Sequence, residues 1–477
     1  MKALNFVTSI NMNTPNFSRR EMLKRCGCGF GYLAFTSLFA RLAMTASAAQ
    51  TAGHKTDFPP RAQRVIFLFM HGGPSHLDTF DYKPLLTRDN GKQASAEFVK
   101  STANPSTKLM ASPFEFHPSG QSGLQISEIF PEITKCADDL CLIRGMHTNG
   151  QDHTQAVLKL HTGMENQVRP SMGSWILYGL GSENENLPGF ITISPTPVTG
   201  GAQNYGSAFL PAIYQGTPIG QANTPLTQAQ IAHIKNGQLP LELQRKQLDF
   251  VQKLNRQQLA RSPEDDQLES VIQSYELAFR MQTQAPEATD LSKETKATRE
   301  MYGVDQTPTD DFARQCLLAR RFVERGVRFV QVSHSFKWDQ HQNLTRDHRR
   351  NAQEIDQPIA ALLRDLKSRG LLKDTLVLWA GEFGRTPTAQ GTGDGRDHNP
   401  HGFTVWMAGG GVKGGFSYGE TDDYGFAAVN DKVHTHDLHA TLLHILGLNH
   451  EKLTFRYGGR DFRLTDVAGN VVKAVLA

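Results

Sequence analysis

Histidines and carboxylates follow three short apolar stretches of the chain, and together these residue types can bind a divalent metal. Imidazole nitrogen suits zinc and other transition ions, whereas carboxylate oxygen suits magnesium, calcium and manganese. A mixed set is compatible with several of these ions, so the sequence predicts a divalent metal cofactor and leaves zinc, calcium, magnesium and manganese open. The candidate ligands are His71, Asp78, Asp339, His341, Glu382 and His398.

The elements that must position these residues are buried parallel strands. Val65–Met70 is an unbroken apolar run that ends at Gly-Gly-Pro, Thr375–Ala380 is largely apolar, and Val327–Val332 is predicted as a third strand. Short runs of this kind are typical of strands buried on both faces. Helical patterns at Phe312–Arg325 and Arg349–Arg369 alternate with them. The sequence therefore predicts an α/β fold with a mostly parallel sheet and helices on both faces. Sites in such sheets lie outside the carboxyl ends of the strands.

A second helical region interrupts this alternation. Leucine, phenylalanine, valine and isoleucine recur at three- and four-residue spacing from Leu239 to Met281, with a Ser-Pro-Glu-Asp break at 262–265. The pattern predicts two antiparallel helices within an insertion of about residues 225–310. The remaining predictions are short strands at Leu140–Arg144, Leu187–Ile193 and Phe403–Ala408, and helices at Ile126–Cys136, Thr154–Leu160 and His436–Leu446.

The first 48 residues have the features of an export signal. Arg19 and Arg20 form a twin-arginine pair, a moderately apolar run spans Cys26–Met44, and Ala46-Ser47-Ala48 is a small-residue cleavage site. The alternative is a membrane anchor, but with several glycines and Arg41 the run is not apolar enough to form a stable spanning helix. The sequence thus predicts a signal over 1–48, a mature chain over 49–477, and delivery to the periplasm or medium by the twin-arginine pathway.

Charge and cysteine content restrict the possible partners and cross-links. The chain has a net charge of +3, but the first 48 residues hold six bases and one acid, which leaves 44 bases against 46 acids in the rest. There is no basic stripe with interleaved aromatic residues, so nucleic acid is not an expected partner. Outside the signal, Cys136 and Cys141 are either a local disulfide or ordinary buried residues, and the second interpretation is favoured.

Four blocks of the sequence resemble the alkaline phosphatase and sulfatase superfamily in the same order along the chain. The first is VLKLHTG followed by RPSMGS, and the second is ALLRDLKSRGLLKDTLVLWAGEFG. The third is Arg396-Asp397-His398, which is similar to a metal-binding motif of phosphomutases, and the last is HTHDLHATLLHILGL. From about Val65 onward the chain most closely resembles a twin-arginine-exported group known as domain of unknown function 1501.

This resemblance implies an alkaline phosphatase-like, three-layer αβα fold and one or two divalent metals that serve the hydrolysis of phosphate or sulfate esters. It also implies roles for individual positions. His71 stands at the first-strand metal ligand, Glu382 and His398 match a carboxylate and a histidine ligand, Asp339 and His341 match the ligands of the other metal, and Arg385 would be free to hold an anionic oxygen.

The sequence departs from the superfamily at the nucleophile. Counting back from Leu160-His161-Thr162-Gly163, the sulfatase nucleophile position falls on His153. The chain has no Cys or Ser in a C/S-x-P-x-R motif there, so a formylglycine mechanism is excluded. His153 is therefore either a nucleophile or a metal ligand, and the adjacent Thr154 is the alternative nucleophile. Phe383 replaces a partner ligand of Glu382.

These observations predict an exported, sulfatase-like, metal-dependent hydrolase of an anionic ester such as a sulfated or phosphorylated glycan. The alternative is a catalytically degenerate member that binds an anionic glycan or an envelope partner without turnover, because fold resemblance does not secure activity. A third interpretation is a structural envelope protein whose histidines only form hydrogen bonds.

Overall fold

The computed structural model describes residues 56–95, 98, 108–229, 231, 234, 237–263, 265–390 and 393–477. The predicted signal over 1–48 lies outside these residues. The helices, in chain order, are α1 Pro84–Arg88, α2 His153–Thr162, α3 Met172–Leu180, α4 Leu241–Leu259, α5 Asp266–Thr289, α6 Lys296–Tyr302, α7 Asp310–Glu324, α8 Leu344–Ser368 and α9 Thr435–Ile445.

Most of the strands form one large sheet, and short two-stranded ribbons surround it. The strands are β1 Arg64–Met70, β2 Phe116–Ser119, β3 Leu124–Ser127, β4 Leu140–His147, β5 Phe190–Ile193, β6 Thr217–Ile219, β7 Phe329–His334, β8 Thr375–Ala380, β9 Gly384–Arg385, β10 His398–Asn399, β11 Phe403–Gly409, β12 Phe416–Tyr418, β13 Glu420–Thr421, β14 Ala428–Asn430, β15 Val433–His434, β16 Phe455–Tyr457 and β17 Arg460–Phe462.

Strand β1 lies in the middle of the nine-stranded sheet, whose order is β12-β4-β11-β8-β1-β7-β5-β6, with β15 also paired to β4. It runs parallel to β7 and β8, and Met70 is level with His334 while Phe69 is level with Ala380. Only β11 runs against its neighbours within the described sheet. The loops after β1, β7 and β8 therefore leave the sheet at the same edge, which is where the candidate ligands lie.

The sheet is covered on both faces, as the sequence predicts. Alternate β1 side chains point to opposite faces: Ile66, Leu68 and Met70 join a core that contains α7 and α8 residues. Val65, Phe67 and Phe69 join a second core that contains residues of α2, α3 and α9. The α/β prediction of a mostly parallel sheet between two helical layers is confirmed. The double burial explains why β1 has no polar side chain between Val65 and Met70.

One predicted helix is absent from the described structure. Instead of a helix at Ile126–Cys136, strand β3 ends at Ser127 and a 3-10 helix spans Ile133–Asp139. The physical reason lies in Pro131, which lacks an amide donor and disfavours helical geometry at the residue before it. The apolar spacing of this segment was therefore misleading, since Ile126 and Ile129 are buried without being part of a helix.

Two long helices lie where the insertion was predicted. Arg245 of α4 makes a paired salt bridge to Glu276 of α5, with nitrogen–oxygen distances of 2.8 and 3.0 Å. Further along α4, the side chain of Gln252 donates to the carbonyl of Ile272 at 2.7 Å. The later α4 residue contacts the earlier α5 residue, so the helices run antiparallel.

The described cysteines, Cys136, Cys141 and Cys316, are all buried free thiols. The interpretation of Cys136 and Cys141 as ordinary buried residues matches this arrangement. Within the described part of the chain, we find no helix with the length and apolar character needed to cross a membrane.

Candidate metal centre

Four side chains converge above the carboxyl edge of the sheet, around one carboxylate oxygen. Asp339 Oδ1 lies 3.0 Å from His341 Nε2, 3.1 Å from His153 Nε2 and 3.5 Å from His398 Nε2. The Nε2 atoms of His341 and His398 are 3.1 Å apart. One ligand atom from each of the four residues lies within 4.8 Å of the others.

Each of the three histidines is held in place through its other ring nitrogen. His153 Nδ1 contacts Glu382 Oε1 at 2.7 Å, His341 Nδ1 contacts Gln390 Oε1 at 2.6 Å, and His398 Nδ1 contacts the carbonyl of Gln151 at 3.0 Å. All these partners are acceptors, so each Nδ1 carries a hydrogen, and each Nε2 is directed at the centre, where it offers a lone pair to a metal once it has lost its proton. Metal-binding histidines are usually oriented in this way.

The secondary structure explains why these residues meet. His153 is the first residue of α2, which Asp152 caps by accepting from the amide of Gln155 at 3.0 Å. Asp339 and His341 are on the loop after β7, and His398 is in β10, level with Arg385 of β9. Glu382 follows β8 directly. The loop after β7, the β9–β10 ribbon and the N-terminus of α2 thus supply the cluster, and the loop after β8 supplies Glu382 behind it.

The charges of the site are strongly coupled. Burial alone would lower the pKa of His153, but contacts of its two ring nitrogens with the Asp339 and Glu382 carboxylates outweigh burial and raise that pKa to about 9. Burial would raise the pKa of Asp339, yet contacts with His153, His341 and His398 hold it well below its usual range. A positive charge among these groups is therefore favoured.

The geometry and chemistry of this cluster fit a divalent metal. Ligand atoms at 2.0–2.1 Å from a tetrahedral zinc ion lie roughly 3.3 Å apart, close to the 3.0–3.5 Å separations measured between Asp339 and the histidines. The buried Nε2 of His153 makes no hydrogen bond to any described residue. A set of three imidazoles and one carboxylate favours zinc or another transition ion over calcium or magnesium.

His71 and Glu382 lie next to this cluster. Both Glu382 oxygens accept from the amide of Gly72, at 3.0 and 3.2 Å, while Oε1 also contacts His153. His71 Nε2 instead contacts the hydroxyl of Thr199 at 2.8 Å, and its ring centroid is 6.5 Å from that of His153. Both residues are in the pocket, but as neighbours of the four converging groups.

The structure places Arg385 differently from the expectation that it is free to hold an anion. Its guanidinium is fully buried and donates to the carbonyls of Gly73, Gly72 and Trp338. It also donates to Asp339 Oδ1 at 2.8 Å. Arg385 therefore fixes the central carboxylate and the first loop, and leaves no exposed edge for a substrate.

Asp78 also lies outside the cluster. Its carboxylate receives two hydrogen bonds from Arg396, at 2.7 and 3.2 Å, and another from the hydroxyl of Ser75. Both charged groups are fully buried. A carboxylate engaged in this way stabilises the loop after β1, and the structure does not direct it towards the four converging atoms.

His348 supports the same loop, and its protonation should be visible in the stability of the protein. Its Nε2 accepts from the amide of Ser75 at 3.2 Å, which only a neutral ring can do. Burial lowers the pKa of His348 to about 4. Because the unfolded ring titrates near 6.5, the contribution of His348 to stability is fully present above that pH and falls by roughly 3 kcal/mol between pH 6.5 and 4.

Denaturant unfolding of metal-free protein across this pH range should show that loss. His348→Gln, which keeps an acceptor for Ser75 but cannot titrate, should make the dependence shallower in this window. An identical pH profile for the two proteins would contradict the assignment.

Several residues at the site were not identified from the sequence. Gln151 and Gln390 hold histidines from loops that are distant along the chain, and Thr199 contacts His71. Phe383 packs its ring 4.9 Å from His153 and 4.5 Å from His398. Phe383, which stands where the resemblance predicts a partner ligand of Glu382, thus packs an apolar ring against two of the histidines. Thr154, the alternative nucleophile, is exposed in the first turn of α2.

A second group with suitable spacing lies on the surface. Glu115, His117 and Glu128 lie in or beside the β2–β3 ribbon and are exposed or half-buried. Glu128 is engaged with Arg349 at 2.7 Å. Exposed acidic groups often cluster without binding an ion, so this group serves as a control for the experiments below.

The chain belongs to the family described as "Protein of unknown function (DUF1501)", whose sequence profile matches residues 62–476. The family resemblance predicted from the sequence blocks is therefore confirmed. No curated protein matches the chain.

Similar solved structures carry the names of phosphatases, sulfatases and related enzymes. The lipoteichoic acid synthase LtaP from Listeria monocytogenes is 8% identical, with 87% of this chain and 78% of that chain covered at a TM-score of 0.37. The PsFucS1 sulfatase from Pseudoalteromonas sp. is 12% identical, with 87% and 72% covered at 0.38. A protein in the alkaline phosphatase superfamily from Vibrio parahaemolyticus is 9% identical, with 91% and 76% covered at 0.36. These similarities are distant, at 8–12% identity.

Proposed function

We propose that this chain is a metal-dependent hydrolase of phosphate or sulfate esters. The observation that carries the proposal is the convergence of Asp339 Oδ1 and the Nε2 atoms of His153, His341 and His398, with an acceptor behind each histidine. This arrangement supports a metal centre, and the family resemblance supports ester hydrolysis as its use. A divalent ion held there would polarise an ester oxygen and lower the pKa of an attacking water.

The residues of the chain then have distinct roles. His153, Asp339, His341 and His398 hold the ion, and Glu382 orients His153 through its 2.7 Å contact. Buried Arg385 keeps Asp339 in place. His153 is the first residue of α2, and the N-terminus of a helix carries partial positive charge, which favours an anionic ester group near His153.

His153 acts in this proposal as a ligand. Its Nδ1 is engaged by Glu382 and its Nε2 faces the Asp339 oxygen, so neither nitrogen is directed to open solvent. A nucleophilic histidine would need one nitrogen directed at the substrate. The nucleophile is then either a water or the exposed hydroxyl of Thr154.

The test is to measure bound metal per chain and then hydrolysis of 4-nitrophenyl phosphate and 4-nitrophenyl sulfate. His153→Ala should lose metal and activity together. Glu382→Gln should retain the fold and bind metal about 10–100-fold more weakly. Thr154→Ala should keep the metal. If this variant still hydrolyses the esters, the nucleophile is a water; if it does not, the nucleophile is the Thr154 hydroxyl. Stoichiometric metal with no turnover of any anionic ester would favour binding without catalysis.

We further propose that the mature chain works outside the cytoplasm. Arg19 and Arg20 precede a weakly apolar run and a small-residue cleavage site, which supports twin-arginine export. Replacing both arginines by lysine should retain the full-length chain in the cytoplasm, as measured by cell fractionation. A single Lys2→Arg replacement is the control. Normal delivery of the double variant to the envelope would contradict this route.

A further inference from the structure

Phe336 is an exposed aromatic residue in a backbone conformation that bulky side chains rarely adopt. Its φ is +47°, and 44% of the residue is exposed to solvent. Left-handed conformations are unfavourable for a residue with a large side chain. Strained residues of this kind persist where the surroundings hold them, and they are concentrated at ligand-binding sites.

The loop around Phe336 is held on both sides of that residue. The hydroxyl of Ser335 donates to the carbonyl of Ser194 at 2.9 Å. The amide of Lys337 donates to the carbonyl of His71 at 3.1 Å. The position of the Phe336 ring is therefore determined by neighbours in two other loops, and its exposure does not result from a loose segment.

The ring lies at the entrance to the candidate metal centre. Its centroid is 4.7 Å from that of His71 and 5.2 Å from that of His153, in edge-to-face contacts. One part of the ring thus packs against the two histidines, and the other part faces solvent. A group attached to an ester bound at the centre would emerge beside this exposed part.

We propose that Phe336 forms a binding subsite for the ring of the substrate, so that the preferred substrates are anionic esters of six-membered rings with an apolar face. This inference rests on the proposed function, because it requires the anionic group to occupy the centre. Aryl rings and the C–H faces of sugars share the chemistry that an aromatic platform recognises. An ester of a short chain would leave the exposed part of Phe336 uncovered.

Calorimetry with zinc-loaded protein tests this subsite, and the KM of hydrolysis takes the place of the Kd for any probe that is turned over. The probes are 4-nitrophenyl phosphate, glucose 6-phosphate and ethyl phosphate, each compared with its sulfate counterpart. Wild-type protein should bind a ring-bearing ester about tenfold more tightly than the ethyl ester. If a Phe336→Gly variant loses the preference for only the aryl ester or only the sugar ester, that result identifies the kind of ring that the subsite binds.

Phe336→Gly should abolish that preference while metal content and ethyl phosphate binding stay unchanged. Glycine adopts φ near +47° without strain, so the melting temperature should stay equal or rise. Phe336→Tyr should retain the preference, and Phe250→Ala on the exposed face of α4 is the control. Equal binding of all probes to the wild type, no measurable binding of any, or an unchanged preference in Phe336→Gly would overturn the proposal. If the preference depends on Phe336 but the protein hydrolyses no ester, the result contradicts the proposed hydrolysis and leaves the ring-binding subsite in place.

Discussion

Asp339→Asn should remove the bound metal and abolish ester hydrolysis. Asp339 Oδ1 is the atom that the Nε2 atoms of His153, His341 and His398 all approach, at 3.0–3.5 Å. An amide carries no charge to balance a divalent ion, and its nitrogen would direct hydrogens at the centre. We expect metal affinity to fall by more than about 100-fold. Mutation of residues that only hydrogen-bond to a metal ligand already lowers metal affinity by about 10–100-fold.

Metal content after dialysis, followed by zinc titration against a competing chelator, measures this loss. Asp347→Asn on α8 is the matched control, because that carboxylate pairs with Arg346 at the surface. His117→Ala tests the exposed Glu115, His117 and Glu128 group and should leave the metal content unchanged. Full metal content in Asp339→Asn, or loss of metal in His117→Ala, would show that the ion binds elsewhere.

The strands that carry the site could be predicted from the sequence because their burial is uniform. Every residue of Val65–Met70 contacts one of the two cores, so the apolar run is continuous and the strand is unambiguous. The parallel pairing of β1 with β7 and β8 then brings residues more than 300 positions apart to one edge. His71, Asp339, His341 and Glu382 reach one pocket for this reason, and the β9–β10 ribbon brings His398 to it.

The detailed roles within the pocket could not be predicted, since they depend on side-chain contacts between distant loops. Nothing in the types of Asp78 and Arg385 indicates that Asp78 pairs with Arg396, or that Arg385 is surrounded by backbone carbonyls. Gln151 and Gln390 are ordinary loop residues in the sequence. Only their contacts with His398 and His341 show that they orient ligands.

The sequence resemblance left the role of His153 ambiguous for the same physical reason. Its position matches a nucleophile, but alignment does not record where the two ring nitrogens point. The contact of Nδ1 with Glu382 and the direction of Nε2 towards Asp339 are properties of the folded loop. A carboxylate behind a histidine is a recurrent way to fix the tautomer of a ligand.

The Asp78–Arg396 ion pair should be essential for stability rather than for chemistry. Both side chains are fully buried, and Arg396 also donates to the carbonyl of Thr386. Burial would raise the pKa of Asp78, but the Arg396 guanidinium holds it below its usual value. Removing one partner leaves an uncompensated buried charge, so Arg396→Met should reduce the free energy of unfolding by about 3–5 kcal/mol.

Adding Asp78→Asn to Arg396→Met should recover a substantial part of that loss, because the double variant buries no isolated charge. Denaturant midpoints of metal-free protein give the comparison, and Arg346→Met is the control for an exposed pair, with an expected change below about 1 kcal/mol. If the double variant is as unstable as Arg396→Met alone, the charge of Asp78 is not the cause. If instead Asp78→Asn alone loses metal while the protein stays folded, then Asp78 is a ligand after all, and the separation between this pair and the metal centre is wrong.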